Sequence, residues 1–181
     1  MPSVYLLLTR TNTMFSRAIH GATGNCYTHS SLALDRDLQN IFSFGRRIPT
    51  LMLPAGFVRE HLHSGVFGHC PGAQCLVLEI PVSSEAYEYL RCQLAYMETY
   101  KNAFQYDVLG FVLLTFGIAR NRPHKFVCSH FVADLLEKAG ALRCPKHPSL
   151  MRPQDFTKLG LQVVYEGPLG EAAGDVRLCT A

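Results

Sequence analysis

The sequence predicts an α+β fold in which a small antiparallel β-sheet packs on helices. Two observations favour that class: the strand patterns are joined by local turns, and the helical patterns are gathered in separate stretches instead of alternating with the strands. The chain has 181 residues, of which 48% are hydrophobic. That length and composition suit one domain with a sizeable core, so we predict a single domain over residues 1–181, with its core at about 3–168.

The predicted strands are mostly apolar runs of five to nine residues. Residues 3–9 are typical of a buried strand, and residues 27–34 alternate as a half-buried strand does. A turn at 35–37 leads into a returning strand over 39–45, so this pair should form a hairpin. Further strands are predicted at 74–81 and 161–166. The segment 48–72 is punctuated by Pro and Gly and is predicted to be irregular, either covering a cleft or opening it, and the tail from residue 167 is predicted to be loose.

Helical patterns occupy the stretches between these strands. Residues 13–22 can form a helix with Thr11 or Thr13 at its N-cap. Ser83 or Ser84 caps a long helix whose apolar stripe continues to residue 100. Residues 106–117 are apolar and should be buried; within them, 108–116 are either plain core, which we favour, or the lining of an acyl pocket. A helix over 128–139 ends before Gly140, a natural residue for the C′ position.

Composition argues against several classes of partner and location. The net charge is +3 and no Lys/Arg run exceeds two residues, so we expect no nucleic-acid binding. The longest hydrophobic stretch, 108–119, is too short for a bilayer that needs about 20 residues, so we expect no stable membrane insertion. Seven cysteines and no visible secretory signal suggest reduced thiols in a cytoplasmic protein. The sequence contains no indication of oligomeric state.

The segment 61–75 is rich in potential metal ligands but does not have the pattern of a metal site. It contains three histidines and two cysteines, yet their spacing fits no closed zinc motif and no second Cys-x-x-Cys half exists. We therefore predict a histidine-rich loop that borders a cleft, with neither a metal nor a cofactor.

Cys128 and His29 are the candidate nucleophile and base. Cys128 begins a predicted helix, and the partial positive charge of a helix N-terminus favours the thiolate. His29 lies on a predicted strand about 100 positions earlier, and an imidazole can accept the thiol proton and return it to a leaving amine. His29 shares its strand face with the small residues Ser31 and Ala33, which leaves room for a partner. The more common alternatives are a buried structural cysteine and a satisfied core histidine.

A third group should hold the imidazole in its tautomer. The returning strand offers Ser43 on one face and Asn40 on the other, and a slip of one residue in strand pairing would exchange them. A backbone carbonyl is a further candidate. His130, two positions after the cysteine, does not face it on a helix, so we expect His130 on the polar face or at the edge of a cleft.

These residues lie in an ordered set of segments that resembles the circularly permuted papain-like branch of the NlpC/P60 superfamily, which includes YiiX-like proteins and, more remotely, lecithin:retinol acyltransferase-like proteins. The segments span about residues 3–168, and the main ones are Thr23-Gly24-Asn25-Cys26-Tyr27-Thr28-His29-Ser30-Ser31-Leu32, Ile41-Phe42-Ser43-Phe44-Gly45-Arg46, Phe126-Val127-Cys128-Ser129-His130-Phe131-Val132-Ala133 and Pro153-Gln154-Asp155-Phe156. The resemblance implies that Cys128 is the nucleophile and His29 the base, on a small antiparallel sheet packed on helices. It places the third polar residue about a dozen positions after the histidine, where Asn40 and Ser43 stand.

We therefore expect a cysteine hydrolase that cleaves an amide bond, in a peptide, a cell-wall-type peptide or a lipid or amine conjugate, and that needs no cofactor. One alternative is a thiol acyltransferase or esterase that uses the same pair. The other is a non-catalytic binding module on the same scaffold, in which Cys128 would have an ordinary thiol pKa near 8.5.

Overall fold

The computed structural model describes residues 1–11, 26–51, 53–70 and 72–175 and has the predicted α+β architecture. Its strands are β1 (Ser3–Arg10), β2 (His29–Ala33), β3 (Ile41–Arg46), β4 (Ala55–Glu60), β5 (Gln74–Pro81), β6 (Gln105–Tyr106), β7 (Lys125–Phe126) and β8 (Gln162–Pro168). Its helices are α1 (Gly65–Gly68), α2 (Ser84–Thr99), α3 (Val108–Thr115), α4 (Cys128–Lys138), α5 (Pro153–Phe156) and α6 (Ala172–Asp175). The helix predicted over 13–22 lies outside the described residues.

The eight strands of the described chain form one sheet in the order β7-β6-β4-β3-β2-β1-β5-β8. Neighbouring strands are antiparallel, except that β6 and β7 are parallel. The sheet is therefore larger than the small antiparallel sheet that the sequence predicts. One of the additional strands, β4, lies inside the segment 48–72, where the prediction of irregular structure is wrong. Gly56 lets β4 approach the chain entering β6, because a Cβ atom at this position would lie 2.3 Å from the carbonyl oxygen of Phe104.

The core lies on both faces of the sheet because the side chains of its central strands alternate. On one face, Val4, Leu6 and Leu8 of β1 pack in the cluster that includes the buried residues of α2 and α4. On the other face, Tyr5 and Leu7 pack with residues from α1, β5 and the C-terminal segment. Helix α4 is therefore fixed against the sheet by apolar packing along its length.

Aromatic rings form part of the contact between α4 and the sheet. The ring of Phe131 in α4 lies 5.1 Å from the ring of Phe44 in β3 and 5.9 Å from that of Phe57 in β4. The ring of Phe44 also lies 5.1 Å from the ring of Phe126 in β7. Aromatic pairs at these distances add to the stabilisation that comes from area burial alone. Together the rings tie the first turn of α4 to the adjacent strands β3 and β4.

The helix boundaries agree with their local sequence. The Ser83 side chain accepts a hydrogen bond from the Ala86 N–H at 3.1 Å, so the N-cap of α2 is the first of the two serines proposed for it. Helix α4 ends before Gly140, which has a φ of +67°, a conformation that favours glycine at C′. None of the helices in the described ranges is both long and apolar enough to cross a lipid bilayer.

Two segments, the C-terminal tail and helix α3, differ from their predictions. The tail predicted to be loose from residue 167 packs on the protein over its described part, 167–175: Leu169 and Ala172 are buried, and the Leu169 N–H donates to the Ala73 carbonyl at 2.8 Å. The rest of the tail, 176–181, lies outside the described residues. Helix α3, predicted to be buried as core or as the lining of a pocket, buries only Leu114. Its remaining apolar side chains are half-buried or exposed, so α3 carries apolar surface on the outside of the protein.

Candidate active site

Cys128 is the first residue of α4, and the N-cap residue before it, Val127, forms no side-chain cap. The preceding Val127 is extended, with φ −85° and ψ 156°, and its carbonyl accepts the first helical hydrogen bond, from Phe131 N–H, at 2.9 Å. Valine has no side-chain oxygen to accept from the first-turn N–H groups, which helical bonding leaves unpaired. Within the described residues no side chain of the N-cap occupies the N–H groups around Cys128, so they can donate to an incoming oxygen, and their dipoles favour negative charge at the sulfur.

The register of three adjacent strands gathers polar side chains on one face of the sheet. The β2–β3 ladder pairs Ala33 with Ile41, and the same register carried along the hairpin sets Ser43 beside Ser31. The β3–β4 ladder pairs Ile41 with Glu60. Because alternate residues share a face, the side chains of β2, β3 and β4 that meet here are His29, Ser31, Ser43 and Glu60.

Glu60 holds the His29 imidazole. The Nε2 atom of His29 lies 2.9 Å from Oε1 of Glu60, and the Ser31 hydroxyl donates to Oε2 of Glu60 at 2.5 Å. The contact is largely shielded from water, since 19% of the His29 side chain and 10% of the Glu60 side chain remain exposed. With Nε2–H donating to the carboxylate, the Nδ1 atom is the ring nitrogen left for a second partner.

That second partner is the thiol of Cys128. The Cys128 side chain is buried and interacts with the His29 imidazole and with the backbone and hydroxyl of Ser30. His29 and Ser30 are the first two residues of β2, so the sulfur lies where this strand begins. The fold thus brings together two residues that are about 100 positions apart in the chain.

The electrostatics of these three side chains favour an ion pair between His29 and Cys128. Burial alone would lower the pKa of His29, but the charge of Glu60 and the interactions with Cys128 and Glu60 outweigh it and raise the pKa to about 10. Burial alone would raise the pKa of Cys128, but the interaction with His29 and its charge, aided by Ser30, lower this pKa below that of an ordinary thiol. Burial likewise opposes ionisation of Glu60, but the charge and hydrogen bond of His29 keep the pKa of this carboxyl below its usual range. An imidazolium between a thiolate and a carboxylate is the arrangement that these shifts describe.

Ser43 lies in the surroundings of Glu60 and does not orient the imidazole directly. Its hydroxyl is buried and close enough to the carboxylate to help lower the pKa of Glu60, but it forms no regular hydrogen bond with a described residue. Gly45 completes this environment, because a Cβ there would stand 3.7 Å from Cε1 of His29 and 3.8 Å from Oε1 of Glu60. The orienting residue predicted on β3 is therefore supplied by β4, the next strand.

Asn40 is not an orienting residue. Its side chain donates to Oδ2 of Asp35 at 2.9 Å and accepts from the Arg59 guanidinium at 2.5 Å. The backbone N–H of Asn40 also donates to Asp35, at 2.8 Å. Asn40 thus builds the turn between β2 and β3, and its contacts with the aspartate and the arginine account for its polar side chain.

Tyr106 is a further residue at the site, which the sequence did not single out. It lies in β6 directly across from Phe126 of β7, two residues before the cysteine. Burial raises the pKa of Tyr106 well above its usual value, and the negative charges of Cys128 and Asp107 raise it further. The phenol therefore stays protonated near the sulfur, and within the described residues its hydroxyl donates no hydrogen bond.

His130 is buried rather than on a polar face or at a cleft edge. Its ring packs 4.9 Å from the ring of Phe126, and its Nε2 atom has no hydrogen-bond partner among the described residues. Burial lowers the pKa of His130 to about 4, so the imidazole is neutral at physiological pH. It is not placed to act as the base for Cys128, as its position in the helix already indicated.

The histidine-rich segment 61–75 borders the site. The ring of Phe67 in α1 meets the His29 ring edge-on, with centroids 6.2 Å apart. A cavity of about 90 Å³ lies beside Glu60, between the strands and α1, and its lining includes Arg46, Arg59 and His61. Within the described ranges, no cluster of three or more His, Cys, Asp or Glu side chains could hold a metal ion.

Glu60 is not among the residues that the sequence predicts, because the segment that carries it has only a weak strand pattern. The run Gly56-Phe57-Val58-Arg59-Glu60 alternates small or apolar with larger residues after Pro54, which is a weak strand pattern. With β4 assigned, Glu60 would have been the nearest carboxylate on a strand next to the hairpin. Pairing across two strands would still have been needed to bring it to His29.

No family model matches this chain, and searches of curated proteins and of solved structures find no significant match. The function of this chain must therefore be inferred from the geometry of Cys128, His29 and Glu60.

Proposed function

We propose that this protein is a cysteine hydrolase that cleaves an amide bond in a small peptide or an amide-linked conjugate, on a permuted papain-like scaffold. One observation carries the proposal: the imidazole of His29 lies between the Cys128 thiol and the Glu60 carboxylate. A cysteine with an adjacent base, itself oriented by a third group, is the arrangement that activates a thiol for covalent catalysis. The order of base before nucleophile, and the packing of the cysteine helix on the sheet, support the permuted scaffold.

The reaction then has two halves. The thiolate sulfur of Cys128 attacks the carbonyl carbon, and the carbon–nitrogen bond breaks as the His29 imidazolium gives its proton to the departing nitrogen. The neutral imidazole next takes a proton from water, whose oxygen attacks the acyl carbon. The carbon–sulfur bond breaks, which releases the carboxylic acid and restores the ion pair. Glu60 remains ionised throughout and holds the imidazolium in place.

Negative charge develops on the carbonyl oxygen during the attack, and two groups are candidate hydrogen-bond donors to this oxygen. The first is the backbone N–H of Cys128, at the uncapped start of α4. The second is the hydroxyl of Tyr106, which stays protonated because its pKa is raised. Preorganised donors of this kind in a site with little water provide a large part of the acceleration in acyl transfer.

The chemistry suits a reducing compartment such as the cytoplasm. A thiolate of lowered pKa is oxidised readily where oxidants are abundant. The described residues contain six free cysteines, and proteins of oxidising compartments tend to pair such residues. The proposed chemistry needs no cofactor, since the nucleophile, the base and the oxyanion donors are all supplied by the chain.

The pH dependence of Cys128 alkylation tests the ion pair directly. We expect iodoacetamide to modify Cys128 at a lower pH than it modifies an ordinary thiol, and we expect His29→Ala to slow this by about tenfold for each unit by which the pKa of the thiol rises. Cys144 is the internal control, because burial raises its pKa to about 11. Mass spectrometry of the digested protein follows both residues in one sample.

Wild type and the Cys128→Ser variant, screened against amide, ester and thioester substrates, separate the possible activities. Release of an amine that Cys128→Ser abolishes would establish amide hydrolysis. Acyl exchange without amine release would favour the acyltransferase or esterase, and an ordinary alkylation profile that is indifferent to His29 would leave only a binding module.

Tyr106→Phe tests the oxyanion role. Loss of one donor should reduce kcat on the order of a hundredfold, with little change in KM, because the hydroxyl is needed only when the charge develops. The control is Tyr100→Phe, on an exposed tyrosine at the C-cap of α2. A Tyr106→Phe enzyme with unchanged kcat, or with an effect on KM alone, would exclude this role.

A further inference from the structure

Helix α3 exposes large apolar side chains that nothing in the described structure covers. Seven of its eight residues, Val108-Leu109-Gly110-Phe111-Val112-Leu113-Leu114, are apolar, so the helix has no polar face to turn outward. A helix that is apolar all round is normally buried or in contact with lipid. We define the apolar surface as its exposed large side chains and those that follow it directly: Val108, Leu109, Val112, Phe116 and Ile118.

Specific contacts at both ends hold α3 in this exposed position. Asp107 is buried at its N-cap and accepts a hydrogen bond from the Gly110 N–H at 3.0 Å. Near its C-terminal end, Leu114 is buried and its carbonyl accepts from the Arg152 guanidinium at 3.3 Å. These contacts fix one side of the helix against the protein, and the apolar surface lies on the other. Clustered exposed apolar residues of this kind mark an interaction surface.

Basic residues follow the apolar surface in the chain. Residues 108–133 contain no Asp or Glu, whereas the turn after the helix contains Arg120, Arg122 and Lys125. None of these three cations forms an ion pair with a carboxylate within the described ranges. An apolar surface bordered by unpaired cations is complementary to a bilayer that carries anionic headgroups.

We propose that α3 and the basic segment 120–125 dock this protein on the surface of an anionic lipid bilayer. At eight residues the helix is only about 12 Å long, so it lies in the interface and does not span the membrane. The proposal goes beyond amide hydrolysis and does not rest on it. Helix α3 begins two residues after Tyr106, which lies near Cys128. Docking therefore holds the candidate active site close to the headgroups.

Vesicle flotation with the full chain tests the docking. The probes are phosphatidylcholine vesicles with and without phosphatidylglycerol, and Cys128→Ser protein is used throughout so that binding is measured without chemistry. We expect binding that requires phosphatidylglycerol and weakens as salt is added. Val112→Glu should reduce the partition coefficient by about tenfold or more, because it removes an apolar contact and adds like charge. Val163→Glu in β8 is the matched control, since Val163 is 54% exposed and Val112 is 45% exposed.

The basic segment is tested with a charge-matched pair of double variants. Arg120→Gln with Lys125→Gln should weaken binding about thirtyfold, from roughly 1 kcal/mol per basic residue near an anionic surface. Arg143→Gln with Lys158→Gln removes the same charge elsewhere and should have a much smaller effect. Absence of vesicle binding, or equal losses in test and control variants, would overturn the proposal. So would a dimer in light scattering that Val112→Glu dissociates, since the surface would then bind a second copy of the chain.

Discussion

Glu60→Gln is expected to reduce kcat/KM for amide hydrolysis on the order of a thousandfold or more while leaving the fold intact, as loss of the orienting carboxylate does in other triads. The amide keeps the size of the carboxylate, so its Oε1 can still accept from Nε2 of His29. What it loses is the negative charge that does most to raise the pKa of His29 to about 10 against the effect of burial. Without that charge the imidazolium is less stable, and the thiolate of Cys128 loses its positive partner.

Loss of the Glu60 charge should also change the pH dependence of Cys128 alkylation. In Glu60→Gln the pKa of His29 falls and the pKa of Cys128 rises, so the alkylation profile of Cys128 should move to higher pH. A merely structural role for Glu60 would not move that profile. Glu79→Gln is the control, because Glu79 lies in β5 of the same sheet, outside the site, and accepts a hydrogen bond from Tyr5 at 3.4 Å. Identical profiles for wild type and Glu60→Gln would contradict the positioning role assigned to Glu60.

Phe131→Ala is expected to lower the free energy of unfolding by about 3–5 kcal/mol, as for other fully buried aromatic residues. The Phe131 ring is 2% exposed and packs between Phe44 and Phe57 of the sheet, where collapse around the missing ring is limited. The same contacts hold the first turn of α4, so the substitution also loosens the position of Cys128.

Urea unfolding monitored by circular dichroism measures this loss. The matched control is Phe116→Ala, at a phenylalanine that is 74% exposed after α3, for which a change within about 0.5 kcal/mol is expected. A loss below about 1 kcal/mol for Phe131→Ala would mean that the aromatic cluster contributes little to holding α4 on the sheet. An equal loss for Phe116→Ala would mean that α3 packs more tightly than its exposure indicates.

Features with a local cause were predictable from the sequence. The α+β class, the strand at β1 and the hairpin of β2 and β3 follow from alternation and turn residues. The start of α4 at Cys128 follows from the amphipathic pattern of the residues after it. The Ser83 N-cap and the end of α4 before Gly140 follow from capping preferences. The division of His29 and Ser30 between opposite faces of β2 needs only the two-residue period of a strand.

Features that depend on pairing between distant segments were not predictable in the same way. The local pattern indicates Ser43 and Asn40 as candidates for the orienting residue, because a hairpin with β2 is the only pairing that such a pattern predicts. Glu60 reaches His29 from β4, and nothing local to residue 60 records which strand lies beside β3. The environment of an apolar helix is equally non-local: the composition of α3 is that of a core helix, yet most of its side chains are outside the core.

The sequence by itself determined the elements that carry Cys128 and His29, because helix starts and strand faces depend on residues within a few positions of each other. Only the tertiary structure decided which groups surround that pair: Glu60 on Nε2 of His29, Ser31 behind the carboxylate and Tyr106 beside the sulfur. The physical reason is that an ion pair in a buried site depends on distances across the sheet, and strand order and register set those distances after the whole chain has packed.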